Sequence, residues 1–249
     1  MTTRWLNTRP NASIKAMQVR RDESTHNSAA LDPGSLLHSI GAPDLPLARA
    51  LMCERLRRHR INEDVICAFA LVPRHAFAPL HRWRVAYLDL SLWAGGAWLI
   101  APSTVARMVT AINREPGQRI LELGTGTGFQ TALLAALHTH VASVDVSPGC
   151  VYLAAERLKR LGASHVTTAV ASRLLSGVTD SFDVVLSNVA TACPVKLFGN
   201  HVRAGGVLVA PTIMADSSQR LIKYAKASNE ISDAVDLGPC CMPQAGDWL

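Results

Sequence analysis

"LELGTGTGFQTA" (residues 121–132) is the stretch on which the reading of this chain turns. RILEL (119–123) reads as a buried strand and FQTALLAALHT (129–139) as a helix. Between them Glu122, Gly124, Gly126 and Gly128 spell E-x-G-x-G-x-G. Glycines at a strand-to-helix turn permit positive φ and let a ligand approach the backbone closely, while the helix start offers N–H groups without intrahelical partners. The next strand, VASVDV (141–146), places Asp145 21 residues after Gly124. An acid there accepts both hydroxyls of a ribose. The expectation is therefore a nucleoside held at the carboxyl ends of two strands. The competing readings are an ordinary strand–helix turn and a nicotinamide dinucleotide site. The dinucleotide fingerprint G-x-G-x-x-G would need glycine at 129, where Phe129 stands.

Downstream the rhythm persists. CVYLAAERLKRLG (150–162) is an amphipathic helix ended by Gly162, and HVTTAV (165–170), FDVVLSN (182–188) and GGVLVAP (205–211) are short strands rich in β-branched residues. Alternating strands and helices predict an α/β fold, a doubly wound, mostly parallel sheet covered on both faces. Upstream, LPLARALMCERLRRHRI (45–61) carries apolar residues at helical spacing with arginines opposite. Asn62 is placed to cap a second helix, EDVICAFALV (63–72), which should stop before Pro73, and a third helix is expected at about 103–112. The expected organisation is a disordered extension at 1–44, a small helical N-terminal subdomain on the substrate side at 45–112, and the nucleoside-binding α/β domain at 113–249.

With 49% hydrophobic and 18% charged residues among 249, the chain can bury a sizeable core. The net charge of +6 is partly local, since ERLRRHR (54–60) packs four arginines into seven residues. That run reads as a solvated helix face, with an acidic partner as the other possibility. No zinc-finger, RNP or helix-turn-helix signature accompanies it, so no nucleic-acid partner is expected. Cys53, Cys67, Cys150, Cys193, Cys240 and Cys241 show no C-x-x-C pair, and the nine histidines include no H-E-x-x-H. No metal site is expected, and reduced thiols fit a cytoplasmic protein. Apolar runs stop short of the roughly 18 residues of a transmembrane helix, so no membrane partner is expected. The first 21 residues hold five Lys/Arg and no acid, a faint likeness to a transit peptide for which a disordered basic tail is the favoured reading.

The G-x-G-x-G form with an acid upstream resembles the first motif of S-adenosylmethionine-dependent methyltransferases. The likeness extends over roughly residues 48–246. LVPRHAFAPLHRWRVAYLD (71–89), RILELGTGTGFQTALLAAL (119–137), AAERLKRLG (154–162) and VDLGPCCMPQAG (235–246) resemble protein-L-isoaspartate O-methyltransferases in order and spacing. Val72-Pro73-Arg74 and Asp236-Leu237-Gly238-Pro239 are the most specific segments. The resemblance implies a Rossmann-like methyltransferase fold, S-adenosyl-L-methionine as cofactor, and a carboxylate of a peptide or protein as methyl acceptor. It places the cofactor on Gly124, Thr125, Gly126 and Gly128, with the motif acid Glu122 counted beside them. It also puts Asp145 at the ribose and Val146 beside the adenine. The family's G-D-G, whose Asp reaches the adenine amine, reads here as Ala171-Ser172-Arg173, leaving Ser172 as a short neutral substitute.

A larger departure lies in GGAWLIAPSTVARM (95–108). The family's G-Q-T-I-S-x-P aligns with Gly96–Pro102, so that Trp98 and Ile100 occupy positions whose hydroxyls surround the acceptor carboxylate in the family. Only the Trp98 indole can donate a bond in their place, and the alternative to an acceptor-side role is that Trp98 packs in the core. A carboxylate is a nucleophile at neutral pH, so no general base is required. Asn188, ending FDVVLSN at the carboxyl edge of its strand, is the first candidate to touch the acceptor, followed by Thr191 and Asp89. His75, His81 and His201 read as packing or surface residues. Two alternatives accompany the leading reading. One is the same scaffold acting as an O- or N-methyltransferase of a small metabolite stacked on Trp98. The other is a non-catalytic module binding through its arginine-rich helix.

Overall fold

In the computed structural model, residues 44–246 are described apart from Asn113, Arg114, Pro116, Thr139, Ser176, Asn229 and Ala245. The expected extension at 1–44 lies outside the described residues except for its last member. Asp44 belongs to the fold, because its side chain accepts from Leu47 N (2.9 Å) and caps the first helix, α1 (Leu45–Arg57). Helix α2 (Glu63–Leu71) follows, and here one expectation fails. Asn62 occupies the cap position but makes no side-chain cap bond. Glu63 and Asp64 in the first turn answer the helix dipole instead.

Two 3₁₀ turns, Arg74–Phe77 and Leu80–Val85, lead to a two-residue ribbon, β1 (Leu92–Trp93) against β2 (Trp98–Leu99), and then to helix α3 (Pro102–Thr110). The βαβ series comprises β3 (Arg119–Leu123), α4 (Phe129–Leu137), β4 (His140–Asp145), α5 (Pro148–Arg160), β5 (Thr167–Val170), the short α6 (Ala171–Leu174) and β6 (Phe182–Ser187). Helix α7 (Pro194–Phe198) and strands β7 (Val202–Ile213), β8 (Gln219–Lys226) and β9 (Ile231–Pro239) complete the chain. Gly162 stops α5 as expected. With φ at 76° it donates to Lys159 O, while Ala163 N reaches Leu158 O at 2.9 Å, closing the helix's last carbonyls.

The sheet runs β5-β4-β3-β6-β7-β8-β9. The first five are parallel and β8 and β9 are antiparallel additions that the sequence reading did not anticipate. The chain winds outward from β3 through β4 to β5, then returns to start β6 on β3's other side. This reversal opens a crevice at the carboxyl ends of the central strands. Both faces are covered, as the doubly wound reading requires. Along β3, Ile120 joins the larger hydrophobic core while Leu121 and Leu123 join a second core on the opposite face. The larger core runs from Met52 in α1 through Leu133 in α4 to Met242, so the N-terminal helices share one interior with the sheet.

Candidate active site

The glycine turn begins where β3 ends. Gly124 N and Thr125 N both donate to Val144 O (2.8 and 3.1 Å), steering the chain over the end of β4. Gly128, at φ 84°, is where glycine is obligatory: a Cβ there would lie 2.9 Å from the Ala154 Cβ of α5. This close approach brings the start of α4 against the middle of α5. Asp145 closes the turn from the neighbouring strand. Its two oxygens accept from Gly126 N (2.8 Å) and Ser147 N (2.9 Å). A carboxylate offers about four acceptor sites, so about two remain after these bonds. Gly124, Thr125, Gly126, Thr127, Asp145, Val146, Ser147 and Cys150 line one side of the crevice.

Glu122 does not line it. Alternation along β3 turns its side chain inward, where it is fully buried. Thr131 Oγ1 (2.5 Å), Ser143 Oγ (2.6 Å) and Asn188 Nδ2 (3.0 Å) all donate to it. The second hydrogen of the Asn188 amide goes to Gly124 O at 2.9 Å. Asn188, the first sequence candidate for touching an acceptor, thus lines the crevice with both donors already committed. It ties β6 to the glycine turn, and only its Oδ1 lacks a partner among the described residues.

Burial pushes the Glu122 carboxyl up to about 7 from 4.5, overriding the three donated bonds. Below pH 4.5 both folded and unfolded chains hold this proton, and between 4.5 and 7 only the folded chain does. The stability contributed by Glu122 therefore falls as pH rises through that window and levels off above it. Glu122→Gln can keep the network, its carbonyl facing Asn188 and its NH₂ facing hydroxyls that also accept. The urea midpoint of the wild type should decline relative to that of the variant from pH 4.5 to 7. Parallel curves for the two proteins would show that Glu122 titrates normally.

The other side of the crevice is the ribbon and the start of α3. Trp98 and Ile100 both line it, with Trp93 and Val105. Trp93 and Trp98 meet edge to face at 5.3 Å yet remain 51% and 43% exposed, so Trp98 lines an open wall and is not a core residue. Strand β2 and Ile100 just after it are held by Arg74, a role that the Val-Pro-Arg signature alone does not reveal. This guanidinium is completely buried and donates to Ala86 O (2.7 Å), Ile100 O (2.7 Å), Leu90 O (3.1 Å) and Leu99 O (3.4 Å). It also lies 5.1 Å from the Phe129 ring, which is boxed edge-on by Phe69 and Phe77. Desolvation lowers its pKa only to about 9, so it stays cationic at neutral pH.

Besides Glu122, four sequence candidates lie outside the crevice lining. Gly128 serves the helix contact described above. Ser172 is exposed on α6, because the chain enters that helix immediately after β5. Asp89 accepts from Ser103 N (2.9 Å) and thereby caps α3, whose own cap residue, Ala101, has no acceptor side chain. Thr191 is buried and accepts from Cys193 N, a local turn bond. Conversely, Thr127, Phe129, Gln130, Val189 and Gln244 line the crevice without having been singled out. His75 bonds Tyr87 Oη at 2.7 Å and burial lowers its pKa to about 4, while His201 bonds Val178 O. Neither lines the crevice.

A glycine turn and an acid on the next strand, with no imidazole among the described residues that line the crevice, suit transfer of an already activated group. A family model described as protein-L-isoaspartate(D-aspartate) O-methyltransferase matches residues 48–241. The chain belongs to that family. A protein-L-isoaspartate O-methyltransferase of Methanoculleus marisnigri is 31% identical over 189 residues, spanning 75% of this chain and 86% of its own length. Among solved structures, a protein-L-isoaspartate O-methyltransferase superposes with a TM-score of 0.69 at 20% identity, over 80% of this chain and 66% of the other. A Plasmodium falciparum protein described as a β-aspartate methyltransferase, solved in complex with S-adenosyl-L-homocysteine, gives a TM-score of 0.66 at 19% identity over 78% and 95%. Both structures carry the same Rossmann-like fold. The chain is thus an S-adenosylmethionine-dependent methyltransferase of protein carboxylates, and the small-metabolite alternative is not favoured. No helix among the described residues is long and apolar enough to cross a membrane.

Proposed function

We propose that this methyltransferase esterifies the free carboxylate of isoaspartyl residues in peptides and proteins, with the nucleoside seated on the glycine turn and the acceptor entering past Trp98 and Ile100. The observation that carries the reading is one crevice lined both by Gly124–Thr127 with Asp145 and by Gly96, Ala97, Trp98 and Ile100, so that donor and acceptor walls face one space. The residues suit S-adenosyl-L-methionine. The turn is bare of side chains at Gly124 and Gly126, a Cβ on Gly126 would face the Trp98 carbonyl at 3.6 Å, and Asp145 retains acceptor capacity for two ribose hydroxyls. Val146 follows Asp145 on the lining and supplies an apolar surface for the adenine.

S-Adenosyl-L-methionine, held by Gly124–Thr127 and Asp145, would supply an activated methyl group for transfer to a carboxylate oxygen, with a thioether as the leaving group. The protein's share of the chemistry is alignment and exclusion of water. Trp93, Trp98, Ile100 and Val105 make an apolar wall that strips water from an incoming carboxylate. Arg74 fixes that wall by holding the Leu99 and Ile100 carbonyls. Glu122 and Asn188 tie the glycine turn to the end of β6. No residue takes up a proton, because the nucleophile carries none.

The test is incubation with methyl-labelled cofactor and a peptide containing one isoaspartate. Label should enter the peptide and be released by mild base, as a methyl ester is, while the same peptide with ordinary aspartate stays unlabelled. Equal labelling of the two, or none of either, would overturn the acceptor assignment.

A further inference from the structure

Helix α4 is buried along its first eight residues, Phe129 to Ala136, and is apolar apart from Gln130 and Thr131. Thr131 is explained by its bond to Glu122. Gln130 is not. Its side chain is 5% exposed, neither Nε2 nor Oε1 has a hydrogen-bond partner among the described residues, and it lines the crevice. A buried amide with neither end satisfied is rare in folded proteins, and at a binding site its natural explanation is a ligand. It sits in the first turn of its helix, where N–H groups without intrahelical partners add to the attraction for a negative group.

We infer that Gln130 is the acceptor-binding residue, its Nε2 donating to the acceptor carboxylate and its Oε1 accepting from the N–H on the same α-carbon. The inference rests on the isoaspartyl reading above and deepens it. In an isoaspartyl residue the chain continues through the side-chain carbonyl, so a free carboxylate and a peptide N–H project from one carbon. A carboxamide matches that pair, donor to acceptor and acceptor to donor. The need for such a group is set by the facing wall. Positions 98 and 100 present an indole and an aliphatic side chain, and both donors of the Asn188 amide are consumed by Glu122 and Gly124. Gln130 supplies a donor and an acceptor together, whereas these two positions offer at most the Trp98 indole N–H, a donor alone. The shape also confers selectivity, because an ordinary aspartate offers its carboxylate one carbon further from its N–H.

The decisive variant is Gln130→Met, which keeps length, helix propensity and packing but removes both polar atoms. The KM for an isoaspartyl peptide should rise by about tenfold or more, and the Kd for S-adenosyl-L-homocysteine should stay within about twofold. The Tm should hold or rise, since an unsatisfied buried amide is replaced by an apolar group. Gln130→Glu gives a second reading: a carboxylate facing the acceptor's own should raise the peptide KM further. A KM unchanged in both variants, with the wild type active, overturns this assignment alone. A raised Kd for the cofactor product with unmoved peptide KM overturns it in favour of the cofactor's amino-acid carboxylate. A lowered Tm with peptide KM unmoved assigns Gln130 to packing and likewise overturns it. A wild type unable to methylate the isoaspartyl peptide sinks the acceptor reading first, and this inference with it.

Discussion

Asp145→Ala is expected to weaken S-adenosylmethionine binding by at least about a hundredfold, the largest effect of any single substitution in the crevice. Two ribose hydroxyls donating to a carboxylate are each worth about 1.5–3 kcal/mol, and about 1.4 kcal/mol is a factor of ten. Asp145 also holds the turn through Gly126 N and Ser147 N, so part of the loss comes from a loosened backbone. Asp145→Asn separates the two contributions, because the amide oxygen can keep one of these bonds while the charge is gone. Titration calorimetry should show the same proportional loss for S-adenosylmethionine, S-adenosyl-L-homocysteine and adenosine, which share the ribose. A folded alanine variant with wild-type affinity, or a loss seen for S-adenosylmethionine but not for adenosine, would remove the ribose from Asp145.

The second large effect is expected at Arg74, and it should appear first in stability. Arg74→Met leaves three buried carbonyls and the partly buried Leu90 carbonyl short of a donor and removes the cation from the Phe129 ring. Removing one partner from a buried charged network destabilises by about 3–5 kcal/mol. In a chain of this size that lowers Tm by roughly 6–20 °C. Lysine should rescue little, since an ammonium is a point charge and cannot span carbonyls contributed by Ala86, Leu90, Leu99 and Ile100. Below the transition, the variant should bind adenosine normally yet show a raised KM for the acceptor peptide, because Arg74 fixes the wall and not the glycine turn. A Tm within about two degrees of the wild type would show that water or a shift of the 3₁₀ segment satisfies those carbonyls just as well.

Much of this was legible in one dimension. The alternation of β-branched strands and helices, the spacing of Gly124, Gly126 and Gly128, and Asp145 at the next strand end are all local patterns. Parallel βαβ geometry then brings the ends of β3 and β4 together with little freedom to do otherwise. Strands β8 and β9 were less legible. QRLIKYAK and ISDAVDLGP are antiparallel additions toward one edge of the sheet, where one-sided burial leaves a weak apolar signal. Glu122 shows the other kind of failure. Its motif position suggested a ligand contact, but its partners Thr131, Ser143 and Asn188 lie 9, 21 and 66 residues away. No local pattern reports which side of a doubly covered strand collects them.

The sequence by itself determined the layered fold, the family and the glycine turn between β3 and α4, because these follow from periodicity and from glycine's freedom over short spans. Only the tertiary structure decided which polar groups face the crevice and which are consumed elsewhere. It turned Glu122 and the Asn188 donors inward, gave Asp89 to a helix start, exposed Ser172, and left the Gln130 amide buried at the crevice without a partner among the described residues. The reason is that a hydrogen bond is won by whichever group the packing brings within about 3 Å, and that competition is settled between elements far apart along the chain.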